Sequence, residues 1–183
     1  CQHPGATCLA SMAAVTHLHT TPRGLLRINV PLVFGRLHVV PALAAFLRLY
    51  PDVRIDLVLT DHFVNLVEEG VDVAIRVGEL ADSSLIARRL APNRRVICAS
   101  PVYIATHGQP MLPDDLSRHH CLVYKMNLAN AVWRLQGPEG EISVAVSGPL
   151  QANDLGALYA AVLEGLGLGL LPTWLAGDCL RSG

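Results

Sequence analysis

Charge is scarce in this chain of 183 residues: 14 basic and 15 acidic side chains, 16% of the whole, leave a formal net charge of −1. Neither sign forms a stripe of the kind that neutralises phosphates, so the chain by itself is not expected to bind nucleic acid. The five cysteines, at 1, 8, 98, 121 and 179, are odd in number and irregular in spacing. That speaks against a disulfide framework and fits free thiols in a reducing, cytoplasmic compartment. Cys98 in RRVICAS and Cys121 in HHCLVY sit within apolar runs and read as small buried residues rather than as a redox pair.

Catalytic signatures are missing too. There is no GxGxxG or GxxxxGKS/T phosphate loop, and Ser83-Ser84, Ser100 and Ser143 lack the strained, glycine-flanked turn that exposes a nucleophilic serine. An enzyme is therefore not expected. Eight histidines, at 3, 17, 19, 38, 62, 107, 119 and 120, invite a metal, yet no cysteine or carboxylate stands at the usual ligand intervals, so no metal and no cofactor are expected. Trp133 and Trp174 read as core or lobe-interface aromatics.

The most apolar stretch, LGALYAAVLEGLGLGLLPTWLAG from Leu155, is long enough for a membrane span, but Glu164, internal glycines and Pro172 interrupt it. A helix, a Gly-rich turn and a buried strand suit it better, and no membrane partner is expected. CQHPGATCLASMAAVTHLHTTP lacks a basic region followed by an apolar core, so it does not read as a secretory signal. The chain reads as a fragment, with residues 1–23 a linker remnant or a segment of non-native origin.

What is present is an apolar content of 51%, enough for a real core, and a clean succession of periods. LLRINV reads as a strand; Leu43, Phe46, Leu47 and Tyr50 recur at helical spacing until Pro51; Val53, Ile55, Leu57 and Leu59 share one face of a second strand. FVNLVEEG reads as a short helix ended by Gly70, and in VDVAIRVG the residues Val71, Val73, Ile75 and Val77 alternate as a third strand. Strand and helix alternation with short connections implies parallel pairing through right-handed crossovers, an α/β lobe. At about Arg94 the pattern restarts: strand VICAS, helix PVYIATHG, a Pro-rich loop to Leu116, strands near CLVYK, VWRLQ and EISVAVSG, a helix from Asp154 to Glu164, and strand LGLLP.

In open parallel sheets ligands lie beyond the carboxyl ends of the strands, where helix N-termini converge. Those ends are Pro31 to Gly35, Thr60 to His62, and Val77 to Gly78. Phe34-Gly35-Arg36 enters the first helix, where free N–H groups favour an anion such as a carboxylate, although Gly35 can equally be a turn glycine and Arg36 a solvated side chain. Arg76 lies on the face opposite Val73 and Ile75 and has two readings, a structural ion pair with Asp56 or Asp72, or a ligand contact.

The run from PRGLLRINVPLVFGRLHVVPALAAFLRLYPDVRIDLVL through GVDVAIRVGELADSSLIARRL to CASPVYIATHGQP resembles the effector-binding domain of LysR-type transcriptional regulators, over about Pro22 to Pro172. Asn65-Leu66 departs from it where the family often has an acidic residue before the leucine. The resemblance implies a two-lobed, periplasmic-binding-protein-like (type II) α/β fold with an effector cleft between the lobes. It puts 24–93 and 174–183 in lobe I, 94–173 in lobe II, and the end of a linker helix around Ser11 to His19. The cleft is then lined by Pro31, Val33, Phe34, Thr60, Asp61, Arg76 and Gly78 from lobe I, with Ser100, Tyr124 and Asn153 from lobe II. Expected partners are a small, anionic metabolite, further copies of the chain as a dimer or tetramer, and DNA only through a helix-turn-helix that this chain does not carry. A solute-binding protein of the same fold is the alternative, and acid–base chemistry by Asp61 and His62 a third.

Overall fold

The computed structural model describes residues 6–12, 21–62, 64–78, 85–125, 131–138 and 140–182. They form two compact units, Ala6–Pro92 and the chain from Asn93 onward, a division within one residue of the restart in the sequence pattern.

The first unit is built on β2 (Gly24–Val30), β3 (Val53–Leu59) and β4 (Val73–Val77). β2 pairs in parallel with β3 on one side and β4 on the other, Val30 standing opposite Leu59 and Ile28 opposite Val73. β1 (Ala6–Met12) runs antiparallel along the far edge of β4, and β5 (Ala87–Asn93) completes the order β3-β2-β4-β1-β5. A strand thus occupies part of the segment read as a linker, and Ser11 and Met12 belong to it rather than to a helix; residues 13–20 lie outside the described ones. β5 carries Pro92, which has no N–H to give a ladder, and it takes the edge position where such a residue is tolerated.

Helix α1, Leu32–Leu49, covers the face carrying Ile28, Val30, Ile55, Leu59 and Val73. Its second turn widens to π spacing over Gly35–Val39, just ahead of Pro41, whose ring and missing donor disrupt an ordinary α ladder; the wider turn makes room for it. Gly35 lies so close to the sheet that a Cβ there would run into the Val30 and Leu59 side chains. By length and composition α1 would suffice to cross a membrane, with a mean hydropathy of 1.6, but Val33, Gly35 and Val39 fasten it to the sheet.

FVNLVEEG is not a helix. Asn65 Oδ1 accepts from the backbone of Val67 and Glu68, and Gly70 closes a single turn at φ +62°. The side-chain acceptor competes with helical bonding and leaves a turn instead; Phe63 lies outside the described residues.

In the second unit β6 (Arg95–Cys98), β7 (Cys121–Tyr124), β10 (Gln151–Ala152) and β11 (Leu168–Pro172) form one sheet in the order β10-β7-β11-β6, with only β6 antiparallel to its neighbour. β8 (Val132–Gly137) and β9 (Gly140–Ala145) make a separate hairpin. Helix α2 (Pro101–His107) buries Tyr103, and α3 (Leu155–Leu163) is capped by Asp154, whose Oδ1 accepts from Ala157 N at 2.6 Å. The apolar stretch from Leu155 thus resolves into helix, turn and buried strand. It continues into α4 (Thr173–Ser182), which the sequence pattern did not reveal. Residues 174–182, grouped above with lobe I, lie in this second unit, because Ala176 packs into the cluster of Leu122, Leu158 and Leu171.

Candidate functional site

The parallel register brings the carboxyl ends of β2, β3 and β4 to one edge of the first unit, and the predicted residues there meet. Pro31 is the N-cap of α1 and its carbonyl accepts from Gly35 N at 2.7 Å. Thr60 N donates to Val30 O at 2.9 Å, while Thr60 Oγ1 accepts from His62 N at 3.1 Å. Asp61 Oδ1 accepts from Leu32 N at 3.1 Å, so the helix N-terminus at which an anion was expected already holds a carboxylate of the chain. Gly78 follows β4 at φ +133°, a conformation that favours glycine. Phe34 is half-buried with its ring 5.0 Å from that of His38, whereas Val33 is 3% exposed and faces the interior.

Arg76 pairs with neither Asp56 nor Asp72. Those carboxylates serve Arg27: Asp56 Oδ2 lies 3.7 Å from Arg27 Nε, and Asp72 Oδ2 accepts from Arg27 N at 2.8 Å. The reason is register, since Arg27 stands directly opposite Asp56 while Arg76, beyond Ala74, reaches Asn29 instead. Arg76 Nη1 donates to Asn29 Oδ1 at 2.5 Å and to Ile75 O at 3.1 Å. Burial holds its guanidinium below the usual arginine value, and the nearby charges of Asp61 and then Glu69 pull it back up; it remains a cation. Among the described residues no carboxylate stands within ion-pair distance of it.

Asn29 was not anticipated. It is 0% exposed on a strand face shared with Arg27, and among the described residues neither its Nδ2 nor Arg76 Nη2 has a hydrogen-bond partner. The sequence signal was an amide at an alternating position between Ile28 and Val30, both buried.

The second unit does not gather its three predicted residues. Ala152 pairs with Tyr124, which sets Asn153 beside the carboxyl end of β7. Ser100 follows β6, and since Cys98 stands opposite Gly169 and Gly169 opposite Leu122, it lies toward the start of β7. That is about 13 Å away along the strands, four residues at roughly 3.3 Å each. Ser100 is buried and its Oγ accepts from Tyr103 N at 3.3 Å, a helix cap. The residue that does stand near Tyr124 is Arg95, half-buried, whose guanidinium is lowered by burial and raised again by the Tyr124 hydroxyl.

A separate cavity of about 580 Å³ lies against β6 and is lined by Ile97, Met111, Leu112, Leu116 and Leu135 among others, with no charged side chain among the described residues of its wall. His107, His119 and His120 gather round Tyr103, whose hydroxyl accepts from His120 N at 2.9 Å and lies 3.2 Å from His119 Nδ1. No three potential ligands are placed to hold a metal among the described residues. The residues Ser83-Ser84, His3, His17 and His19 considered above lie outside the described ones.

Comparison with known proteins follows the same lines. The HTH-type transcriptional regulator DmlR of Escherichia coli strain K12 is 39% identical over 173 residues, which is 94% of this chain and 56% of that protein. The HTH-type transcriptional activator TtdR of E. coli strain UTI89 is 35% identical over 170 residues, 92% of this chain and 55% of its own. The chain spans about half the length of the curated relatives it matches. The regulatory domain of CrgA, a LysR-type transcriptional regulator from Neisseria meningitidis, aligns with a TM-score of 0.77 at 32% identity, covering 88% of this chain and 79% of that one. With the family model of the LysR substrate binding domain matching residues 19–183, the chain belongs to that family and has its two-lobed, periplasmic-binding-protein-like type II α/β fold.

Proposed function

We propose that the chain is the effector-sensing part of a DNA-binding transcriptional regulator, taking up a small anionic metabolite at the strand ends of the first unit. The observation that carries the anionic preference is Arg76, a cation held partly out of water with no carboxylate of the described residues bonded to it. Family membership and relatives named as transcriptional regulators and activators support the regulatory role. DNA contact belongs to a helix-turn-helix outside this chain, and the regulator works in the cytoplasm as a dimer or tetramer, without a membrane partner and without catalysing a reaction. The metabolite shifts the regulator between DNA-bound states by no more than its differential affinity for them.

Two experiments test this. The reading frame upstream of residue 1 should encode a helix-turn-helix; a basic, apolar leader with a small-residue cleavage site there would make the chain an exported binding protein instead. In a thermal-shift screen of small organic anions, Arg76→Ala and Thr60→Ala should weaken binding about tenfold or more while leaving the unliganded chain folded. A stability loss equal to the affinity loss would return both residues to a structural role.

A further inference from the structure

We propose that Arg76 Nη2 and Asn29 Nδ2 form a two-donor clamp for a single carboxylate group, and that this clamp is what selects the anion. The proposal rests on the effector-sensing reading above and goes beyond it by naming the ligand's chemical class and a residue, Asn29, that binds it.

The argument begins with hydrogen-bond inventory. Asn29 is 0% exposed, and its Oδ1 is taken by Arg76 Nη1 at 2.5 Å. What remains at this spot is two donor nitrogens, Asn29 Nδ2 and Arg76 Nη2, both out of solvent and without a hydrogen-bond partner among the described residues. Buried donors of this kind are rare in folded proteins, and an amide nitrogen beside a guanidinium calls for an acceptor such as a ligand oxygen. The contact between Arg76 and Asn29 also fixes which end of the amide is free: with Oδ1 held by Nη1, the nitrogen Nδ2 is the end left for an acceptor.

Charge then narrows the class. Asp61 and Glu69 both act on Arg76 electrostatically, so an anion arriving there meets two carboxylates of the chain. A dianionic phosphate would add two more negative charges beside Asp61 and Glu69. A carboxylate adds one charge and two coplanar oxygens, which matches two donors on neighbouring strands.

The test uses the 183-residue chain with sodium acetate as probe, and with acetamide, sodium phosphate and sodium chloride at matched ionic strength as controls. Readouts are the thermal midpoint and the side-chain amide signal of Asn29 in a nitrogen–proton correlation spectrum. Acetate is expected to raise the midpoint and move the Asn29 signal, while the three controls do neither. Asn29→Asp, which puts an acceptor where Nδ2 stood and closes the clamp on Arg76 internally, should weaken the acetate response at least tenfold with circular dichroism unchanged. If that variant fails to fold, Arg76→Lys serves, since it keeps the charge and loses the fork. An unmoved Asn29 signal at saturating acetate, a response as large with phosphate, or an undiminished response in both variants would overturn the clamp, leaving an ordered water as the missing partner. The two readings fail separately. Acetate held by the clamp with no metabolite altering DNA binding by the full-length protein would sink the regulator alone. A metabolite that altered DNA binding equally well in Asn29→Asp would sink the clamp alone.

Discussion

Asp61 is the residue on which the first unit's strand ends converge. Its carboxylate caps α1 at Leu32 N and is the larger of the two charges offsetting the desolvation of Arg76. These roles separate under substitution. Asp61→Asn keeps an acceptor for the cap and removes the charge, so it should leave the urea midpoint nearly unchanged while tightening anion binding several-fold. Asp61→Ala removes both and should cost about 1 kcal/mol of stability, as loss of an N-cap acceptor does. Equal stability in the two variants would show that the cap contributes nothing. At this scale the sequence was partly legible: Thr60 and Asp61 were found because a strand end is visible in the alternation that precedes it. Asn29 was not, because an amide between Ile28 and Val30 reads as a solvent-facing position, and only tertiary covering makes it buried.

Among the elements, α1 depends on a single missing methyl. Gly35 is the point of closest approach between the helix and the sheet, and Val30, at 0% exposure, has nowhere to move. Gly35→Ala should therefore cost about 1–3 kcal/mol, read as a lower urea midpoint with little change in slope; an unchanged midpoint would mean that the helix can slide outward freely. The reading of Gly35 as a simple turn glycine gives way here to close packing inside a helix. The strands and helices with strong apolar periods were all legible. β5 was not, because ARRLAPN has no alternation and six of its seven residues are exposed. Helix α4 was not, because a Pro before it and a Gly within it look like loop, and burial of Leu175 and Ala176 is what holds it. Ser100, named on the resemblance alone, stands apart from Tyr124 because β6 runs antiparallel, a property of the sheet that leaves no mark in its own sequence.

For the whole molecule, stability has a basic limit set by two thiols. Burial pushes Cys98 up to about 11, with the Cys179 charge adding to it, and burial alone pushes Cys121 up to about 11. Both ordinarily ionise at 9.0, so the unfolded chain loses these protons before the folded one does. The contribution is complete below that ordinary value and drains away as pH climbs toward the folded one. The urea midpoint should therefore fall from about pH 8 to about pH 10 and fall less in a Cys98→Ala, Cys121→Ala double variant; an equal slope in the double variant would place the effect elsewhere. The first boundary was legible, because a pattern of strand and helix closes before Asn93 and another opens after it, whereas a return of residues 174–182 to the first unit is not what the units show.

The junction also carries its own optical label. Trp174 Nε1 donates to Oδ1 of Asn93, the first residue of the second unit, at 3.1 Å, while the other tryptophan, Trp133, is 6% exposed in a core cluster. One indole is thus dark to the chain's crossing point and the other is bonded to it. In a Trp133→Phe background, the emission maximum of the protein would report on the Asn93 crossing alone, with no dye attached.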